Sequence, residues 1–260
     1  MPHAALSTVN LYYELHGAPD APPLVLLHGA TDTFRSGWNK QIDPLSKHHR
    51  IIGVDLRGHG QSDNPAHALD LRTMADDLRE LLDHLGYFAH DEERRADNSS
   101  GPVAMCGFSG GASVALFFAV RHNALLDRLI LVSNNMQRDE ARLARGFWNA
   151  ARMQREQPGW WRFMQQAHKH TNAATLLHWW EEEDRQRPNF APAELAHVNT
   201  PALVIAGDRD DIIPLDQSLA LFRSLPHAQL AVLPGIGHGA PSNPRSADTF
   251  AQVVLQFLRQ

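Results

Sequence analysis

The stretch that decides the fold is Val103-Ala104-Met105-Cys106-Gly107-Phe108-Ser109-Gly110-Gly111. It begins with a short apolar run, which is typical of a buried strand, and the apolar residues 112–119 that follow it favour a helix. Because small residues flank Ser109, the chain can turn sharply there and expose the hydroxyl at the helix N-terminus. The Gly-x-Ser-x-Gly pattern therefore predicts a serine nucleophile, although a small-residue turn with an idle serine has the same pattern.

Length and composition indicate one α/β domain, with or without a modest insertion. The chain has 260 residues, of which 43% are hydrophobic, and this is enough for a sizeable core. The formal net charge is -5 and Lys and Arg form no block, so we expect no nucleic-acid partner. The single cysteine, Cys106, lies inside the predicted strand, where a buried packing thiol is the simplest interpretation.

The sequence does not indicate secretion or a membrane. Residues 1–7 lack a basic region followed by a long apolar run, and no later stretch is apolar over the length of a membrane span. We therefore expect a cytoplasmic protein without a membrane partner.

Short strands alternate with helices along most of the chain. Apolar or β-favouring runs predict strands, the first of them antiparallel, at 10–16, 24–27, 51–54, 103–108, 129–132, 201–206 and 229–233. Helical periodicity predicts helices at 38–47, 71–85, 112–119, 215–225 and 250–258. This alternation predicts a mostly parallel sheet with helices on both faces. The charged stretch from His90 to Gly101 is predicted to be a solvated loop.

The alternation stops between residues 134 and 198. This segment has no strand signal and is rich in aromatic and charged residues, so it predicts a helical cap inserted into a core formed by 1–133 and 199–260. Its tryptophans either pack the cap against the core or line an apolar pocket for an acyl group. The pocket candidates are Trp148, Trp160, Trp161, Trp179 and Trp180.

Two polar clusters in this segment have simple interpretations. His168, His170 and His178 could suggest a metal, but no compatible cysteine or acidic ligand is evident, so we predict no metal site. Residues 181–184, with the sequence Glu-Glu-Glu-Asp, are predicted to be a solvated helix face.

Five motifs, in their order and spacing, resemble those of the α/β-hydrolase superfamily. They are His28-Gly29 after an apolar strand, Asp55-x-Arg57-Gly58-x-Gly60-x-Ser62-Asp63, Gly107-x-Ser109-x-Gly111, Gly207-x-x-Asp210-x-x-x-Pro214 and Gly235-x-Gly237-His238. The resemblance covers nearly all of the chain apart from the predicted cap. It implies the α/β-hydrolase fold, with a mostly parallel central sheet, helices on both faces and a helical cap insertion.

The resemblance also implies the roles of individual residues. Ser109 is the expected nucleophile, His238 the general base and then acid, and Asp210 the carboxylate that orients the imidazole. A serine hydroxyl needs such a base, and a neutral imidazole suits pH 7. We expect His28 to form structural hydrogen bonds, and the motif at 55–63 to fix a loop beside the pocket.

The acid and the oxyanion hole carry further expectations. Asp208 and Asp211 lie in the same turn as Asp210, and Asp208 is the second candidate for the orienting carboxylate. The family forms its oxyanion hole from two backbone N–H groups, which correspond here to Ala30 and Gly110.

The function implied is that of a serine hydrolase acting on a small or medium carboxylic ester, thioester or lactone. The substrate would form an acyl-serine intermediate that water then hydrolyses. Carbon–carbon bond hydrolysis, cofactor-free perhydrolysis and acyl transfer remain alternatives on the same three residues, because the fold does not choose among them. A ligand receptor of the same fold is a further alternative, which the intact set of three residues disfavours. No cofactor is implied, the expected partner is a small ester-like molecule, and the oligomeric state is not indicated.

Overall fold

Eight strands form one sheet in the computed structural model, which describes residues 2–88 and 101–260. They are β1 His3–Ala5, β2 Asn10–His16, β3 Pro23–Leu27, β4 Arg50–Val54, β5 Val103–Phe108, β6 Leu126–Val132, β7 Ala202–Gly207 and β8 Ala228–Leu233. Their spatial order is β1-β2-β4-β3-β5-β6-β7-β8. The strands β3 to β8 pair in parallel, whereas β1 and β2 are antiparallel to their neighbours. The prediction of a mostly parallel sheet is confirmed.

The parallel strands bring several loops to one edge of the sheet. In the register of the central strands, Leu27 pairs with Gly107, and Phe108 pairs with Val132. The next residues along each strand are therefore neighbours at the carboxyl edge, where open α/β sheets bind their ligands. Ser109 is one of them, because it directly follows Phe108.

Helices cover both faces of the sheet. They are α1 Phe34–Ser46, α2 Leu71–His84, α3 Gly110–His122, α4 Glu140–Ala144, α5 Ala150–Glu156, α6 Pro158–Ala167, α7 Ala173–Gln186, α8 Pro192–Leu195, α9 Leu215–Ser224 and α10 Ala247–Leu258. Successive strand residues point to opposite faces. Val25 and Leu27 accordingly pack in one apolar cluster with residues of α2, α3 and α9, whereas Leu24 and Leu26 pack in a second cluster with α1 and α10.

Several element boundaries differ from the sequence predictions by a few residues, and two of the differences have a clear cause. Helix α1 begins at Phe34 rather than Trp38, because the side chains of Thr33 and Ser36 form a reciprocal capping box at its N-terminus. The strand β1 was not predicted, since it has three residues and depends on its antiparallel pairing with β2. Both differences arise from contacts that hydrophobic periodicity does not report.

The segment between β6 and β7, residues 134–198, is called the helical insertion below. It contains α4 to α8 and no strand, and all of its residues lie in the described part of the chain. The side chains of Asn149 and Asn172 accept backbone N–H groups and cap α5 and α7. That this segment forms a separate cap remains a prediction.

The prediction of a solvated face at residues 181–184 is wrong for two of the four side chains. Glu183 and Asp184 are 5% and 1% exposed, while Glu182 is exposed. Both buried acids lie three to four positions after Trp180, on the face of α7 that packs inward. Charge alone did not reveal this orientation, because the partners of these acids come from elsewhere in the helical insertion.

Three other expectations concern the remainder of the chain. Cys106 is fully buried and free, as predicted. The predicted loop from His90 to Gly101 lies outside the described residues, apart from Gly101 itself. None of the helices in the described ranges combines the length and apolar character of a membrane span.

Candidate active site

Ser109 occupies the turn between β5 and α3. Its backbone has φ 52° and ψ −117°, a left-handed conformation that non-glycine residues rarely adopt. A Cβ at Gly107 would collide with the carbonyl oxygen of Gly111, and one at Gly111 would collide with that of His28. The tight strand-to-helix turn therefore needs both glycines, as the motif predicts.

His238 lies in the loop after β8 and reaches Ser109 across the sheet edge. Its Nε2 is 2.8 Å from Ser109 Oγ, and its Nδ1 is 3.0 Å from Oδ2 of Asp210 and 3.1 Å from Oδ1. An ionised carboxylate only accepts hydrogen bonds, so the ring proton faces Asp210 and the Nε2 lone pair faces the serine hydroxyl. This arrangement allows the imidazole to accept the Ser109 proton.

The environment of Asp210 keeps its carboxylate ionised although the side chain is fully buried. Burial by itself raises the pKa of Asp210, but the hydrogen bond and charge of His238, with smaller contributions from Ile213 and Ser133, lower it below its ordinary value. The N–H groups of Ile212 and Ile213 donate to Oδ1 at 3.0 and 2.9 Å. The carboxylate is thus held in place on the turn after β7.

The other two carboxylates of this turn have different surroundings. Asp208 is exposed and accepts the N–H of Gly235 at 2.6 Å. Asp211 is also exposed. Of the three acids, Asp210 is the one that contacts the imidazole of His238.

Ala30 and Gly110 lie side by side next to Ser109. A Cβ built on Gly110 would be 3.0 Å from the backbone nitrogen of Ala30, and Gly110 is the first residue of α3. Within the described ranges, neither residue donates its N–H to a protein acceptor. Two unused donors at a helix N-terminus can stabilise a developing negative charge.

Two buried histidines hold the loop that carries Ala30. Nε2 of His28 accepts the N–H of Leu56 at 3.0 Å. Nδ1 of His59 lies 2.8 Å from the carbonyl oxygen of Arg57, and Nε2 lies 2.8 Å from that of Ala30. A neutral imidazole donates at only one nitrogen, so one of these contacts is not a hydrogen bond. Burial lowers the pKa of both histidines, which keeps them neutral at physiological pH. These contacts confirm a structural role for His28 and for the motif that contains His59.

A cavity of about 340 Å³ lies between the sheet edge and the helical insertion, and Ser109 and His238 line it. Of the five candidate tryptophans, Trp148, Trp160 and Trp180 line this cavity. The other two, Trp161 and Trp179, are not among its lining residues, although all five tryptophans belong to or pack against the same apolar cluster.

Two cavity tryptophans also connect the helical insertion to the core through their indole N–H groups. Trp160 Nε1 donates to Thr31 Oγ1 at 3.0 Å, and Trp180 Nε1 lies 2.9 Å from His59 Nε2. Thr31 follows Ala30, and His59 contacts the Ala30 carbonyl. The helical insertion is therefore bonded to the loop beside Ser109.

Among the polar cavity residues that were not predicted as site residues, five are charged or have an unpartnered amide donor. They are Asp32, Asn134, Arg142, Asp184 and Arg187. Asp32 follows the His-Gly motif and Asn134 follows β6 closely in sequence, so their positions after strands that end at the sheet edge could have identified them. The other three lie in the helical insertion, whose packing the sequence does not reveal.

Asp32 is an acid on the loop that carries the Ala30 N–H. Burial raises its pKa to about 6, although the hydroxyl of Ser36, which donates to Oδ1 at 3.0 Å, and the charge of His238 lower it. The carboxyl group is therefore partly protonated just below neutral pH.

His168 is one of the three histidines for which we predicted no metal site. Its ring is buried beside that of His59. Its Nδ1 accepts the N–H of Gly60 at 2.9 Å, and burial lowers its pKa to about 3. In the part of the chain that the structure describes, no three His, Cys, Asp or Glu side chains converge in a group suited to a metal ion.

Comparison with known proteins identifies the family. Residues 24–253 match the model of the alpha/beta hydrolase family. The chain belongs to this family. The matched span of this alpha/beta hydrolase includes Ser109, Asp210 and His238 as well as Ala30 and Gly110.

Two relatives show how sequence identity and coverage differ among the proteins similar to this alpha/beta hydrolase. The putative carbamate hydrolase RutD of Agrobacterium fabrum is 26% identical, over 95% of this chain and 98% of that protein. The soluble epoxide hydrolase of Corynebacterium sp. is 37% identical, but the match covers 50% of this chain and only 40% of that protein.

The solved structure of a thermophilic esterase from Thermogutta terrifontis has the same architecture. It is 25% identical, covers 100% of this chain and 98% of its own, and superimposes with a TM-score of 0.78. Together with the family match, these likenesses indicate a hydrolase and confirm the α/β-hydrolase fold.

We predict that Asp210→Asn lowers kcat by about 10⁴-fold for a p-nitrophenyl ester, the substrate class expected from the sequence. An amide can donate to Nδ1 and so hold the imidazole in the tautomer that cannot accept the serine proton. Asp208→Asn is the matched control and should stay within about tenfold of the wild type. Near-normal turnover by Asp210→Asn, beside a large loss in Asp208→Asn, would move the orienting role to Asp208.

Proposed function

We propose that the protein is a serine hydrolase in which Ser109, His238 and Asp210 form a catalytic triad. The observation that carries this proposal is the chain of contacts from Ser109 Oγ through the His238 ring to Asp210, with the serine at the wall of a cavity. A serine hydroxyl in water is a weak nucleophile, and a hydrogen-bonded base that is itself oriented by a carboxylate activates it.

The reaction follows from the positions of these groups. Nε2 of His238 takes the proton of Ser109 as Oγ attacks the substrate carbonyl, and the carbonyl oxygen becomes an oxyanion. The N–H groups of Ala30 and Gly110 are available to that oxyanion. The imidazolium then protonates the leaving group, and the bond between the carbonyl carbon and the leaving group breaks. An acyl group remains on Ser109.

The second half of the reaction uses the same groups in reverse. His238 takes a proton from water, and the resulting hydroxide oxygen attacks the acyl-serine carbonyl. Collapse of the oxyanion expels Ser109 Oγ, which recovers its proton from the imidazolium. The net change is cleavage of the acyl bond by one water molecule.

The cavity supports a small or medium acyl group. Its volume of about 340 Å³ is near the lower end of the range for small-molecule sites. Trp148, Trp160 and Trp180 supply apolar surface along its wall. An ester, thioester or lactone with a short apolar chain suits these dimensions.

The likeness to an epoxide hydrolase does not by itself suggest an epoxide substrate. Attack of Ser109 on an epoxide carbon would produce an alkyl ether of serine, which has no carbonyl for water to attack. Attack on an acyl carbon produces an ester, which water can cleave with the same base. A carbamate also carries an acyl carbon, so the likeness to a putative carbamate hydrolase is compatible with the proposal.

Removal of the nucleophile tests the proposal. Ser109→Ala should reduce kcat for p-nitrophenyl butyrate by several orders of magnitude without changing the melting temperature by more than a few degrees, and should abolish labelling by a fluorophosphonate. Ser242 also lines the cavity, and Ser242→Ala is the matched control, for which we expect turnover within about tenfold of the wild type. Full activity of Ser109→Ala, or stoichiometric labelling of a different serine, would refute the triad. Turnover of a diketone but of no ester or lactone would reassign the reaction to carbon–carbon bond hydrolysis.

The placement of the five tryptophans predicts which of them control acyl-chain preference. Alanine at Trp148, Trp160 or Trp180 should change the ratio of kcat/KM for p-nitrophenyl octanoate to that for the butyrate by about tenfold. Each CH₂ group contributes about 0.8 kcal/mol when buried, so a tenfold change corresponds to about two CH₂ groups that gain or lose contact with the wall. Trp161→Ala and Trp179→Ala should leave that ratio unchanged even where they lower the melting temperature. Equal ratios in all five variants would contradict a pocket role for the cavity tryptophans.

A further inference from the structure

Two guanidinium groups of the helical insertion line the cavity. The side chains of Arg142 and Arg187 are 10% and 11% exposed, and both contact Asp184. Arg142 Nη2 is 3.2 Å from Oδ2 of Asp184, and Arg187 Nη2 is 2.7 Å from Oδ1. Trp148 Nε1 donates to the same Oδ2 at 3.1 Å. One carboxylate therefore accepts hydrogen bonds from two arginines and one tryptophan.

Two further acids lie near the guanidinium groups of Arg142 and Arg187. Glu183 lies 3.9 Å from Arg187, but burial raises its pKa to about 7, so it is only partly ionised at neutral pH. Asp139 attracts Arg142 through space and forms no ion pair with it, because its side chain accepts the backbone N–H of Arg142 at the start of α4. Arginine stays protonated in proteins, so two positive charges lie on this side of the cavity, and both guanidinium groups share the Asp184 carboxylate.

Two buried donors of the same cavity lack acceptors. Nε of Arg142 and Nδ2 of Asn134 have no hydrogen-bond partner among the described residues. Arg142 is 8% exposed and Asn134 is 1% exposed, and both line the cavity. The other amide atom of Asn134, Oδ1, already accepts the hydroxyl of Ser113 at 3.0 Å. Because buried donors are nearly always satisfied, these two donors call for an acceptor that the described residues do not supply.

We propose that the cavity binds acyl groups that carry a carboxylate, and that Arg142 and Asn134 donate to this carboxylate while Arg187 adds positive charge. The inference rests on the proposed function, because it concerns the acyl group of the same substrate. A carboxylate matches the free donors since it accepts at both oxygens, and a guanidinium binds it with a planar, charge-assisted geometry. The substrate class is the half-ester of a dicarboxylic acid, or a lactone with a carboxylate substituent.

The rest of the cavity favours a chain that is apolar between its two ends. The Arg142 guanidinium lies 4.7 Å from the centre of the Phe147 ring, and Trp148 lines the wall beside Asp184. Asp32 lies on the loop that carries Ala30, where its own carboxyl group would repel the carboxylate of a substrate. The scissile carbonyl therefore belongs at Ser109 and the carboxylate at the helical insertion.

Matched esters test the charge preference. Mono-p-nitrophenyl adipate and suberate have the same chain lengths as p-nitrophenyl hexanoate and octanoate but end in a carboxylate. The wild-type protein should have a kcat/KM at least about tenfold higher for the acidic member of one pair. Arg142→Gln should remove this preference, and Asn134→Asp should reverse it, because it replaces the free donor with a carboxylate oxygen.

A matched control variant removes the same charge outside the cavity. Arg152 lies on α5 of the helical insertion, is 48% exposed and pairs with Glu156. Arg152→Gln should retain the full preference for the acidic esters. An equal loss of kcat/KM for both members of a pair in Arg142→Gln, with a lower melting temperature, would assign Arg142 to the packing of the insertion and refute the carboxylate site.

Failure of the carboxylate site is distinguishable from failure of the proposed function. Equal hydrolysis of acidic and neutral esters by the wild type refutes the site and leaves the serine hydrolase intact. If no ester is hydrolysed, the site is tested by calorimetric binding of monoethyl adipate to Ser109→Ala. Binding that weakens by about tenfold or more when Arg142→Gln is added supports the site, and absent or unchanged binding refutes it.

Discussion

The hydrogen bond between Ser109 Oγ and His238 Nε2, 2.8 Å long, depends on the parallel pairing of the central strands. β5 leads into Ser109, β7 leads into the turn of Asp210, and β8 leads into the loop of His238. Since parallel strands share their carboxyl edge, residues far apart in sequence meet there without any long excursion of the chain. The steric room at Gly107 and Gly111 then turns the serine towards the imidazole.

The helical insertion completes the site rather than only covering it. Its indole N–H groups reach Thr31 and His59, which flank or contact Ala30, the residue proposed to supply one oxyanion donor. Its arginines Arg142 and Arg187 line the cavity, and both contact Asp184. In the proposed function, the sheet edge supplies the reacting groups and the insertion sets the substrate preference, and a few hydrogen bonds join the two.

The mostly parallel sheet, the position of Ser109 and the approach of His238 could be predicted because each leaves a local pattern in the sequence. Apolar runs mark the strands, and glycines mark the turns where the backbone needs room. The sequence only suggested Asp210 over Asp208, and in the structure Asp210 is the one that contacts Nδ1 of His238. Arg142 and Asp184 could not be predicted as cavity residues, because burial of charged side chains depends on tertiary partners rather than on periodicity. For the same reason Glu183 and Asp184 resembled a solvated face.

The central claim is that Ser109 carries the acyl group during turnover. Rapid mixing of the protein with p-nitrophenyl butyrate, followed by acid quenching and peptide mass spectrometry, measures this directly. The account predicts a butyryl mass increment on the peptide that contains Ser109, formed within one turnover and lost as substrate is exhausted, and no increment in His238→Ala. Turnover without any acylated peptide, or with the acyl group on another residue, would contradict it.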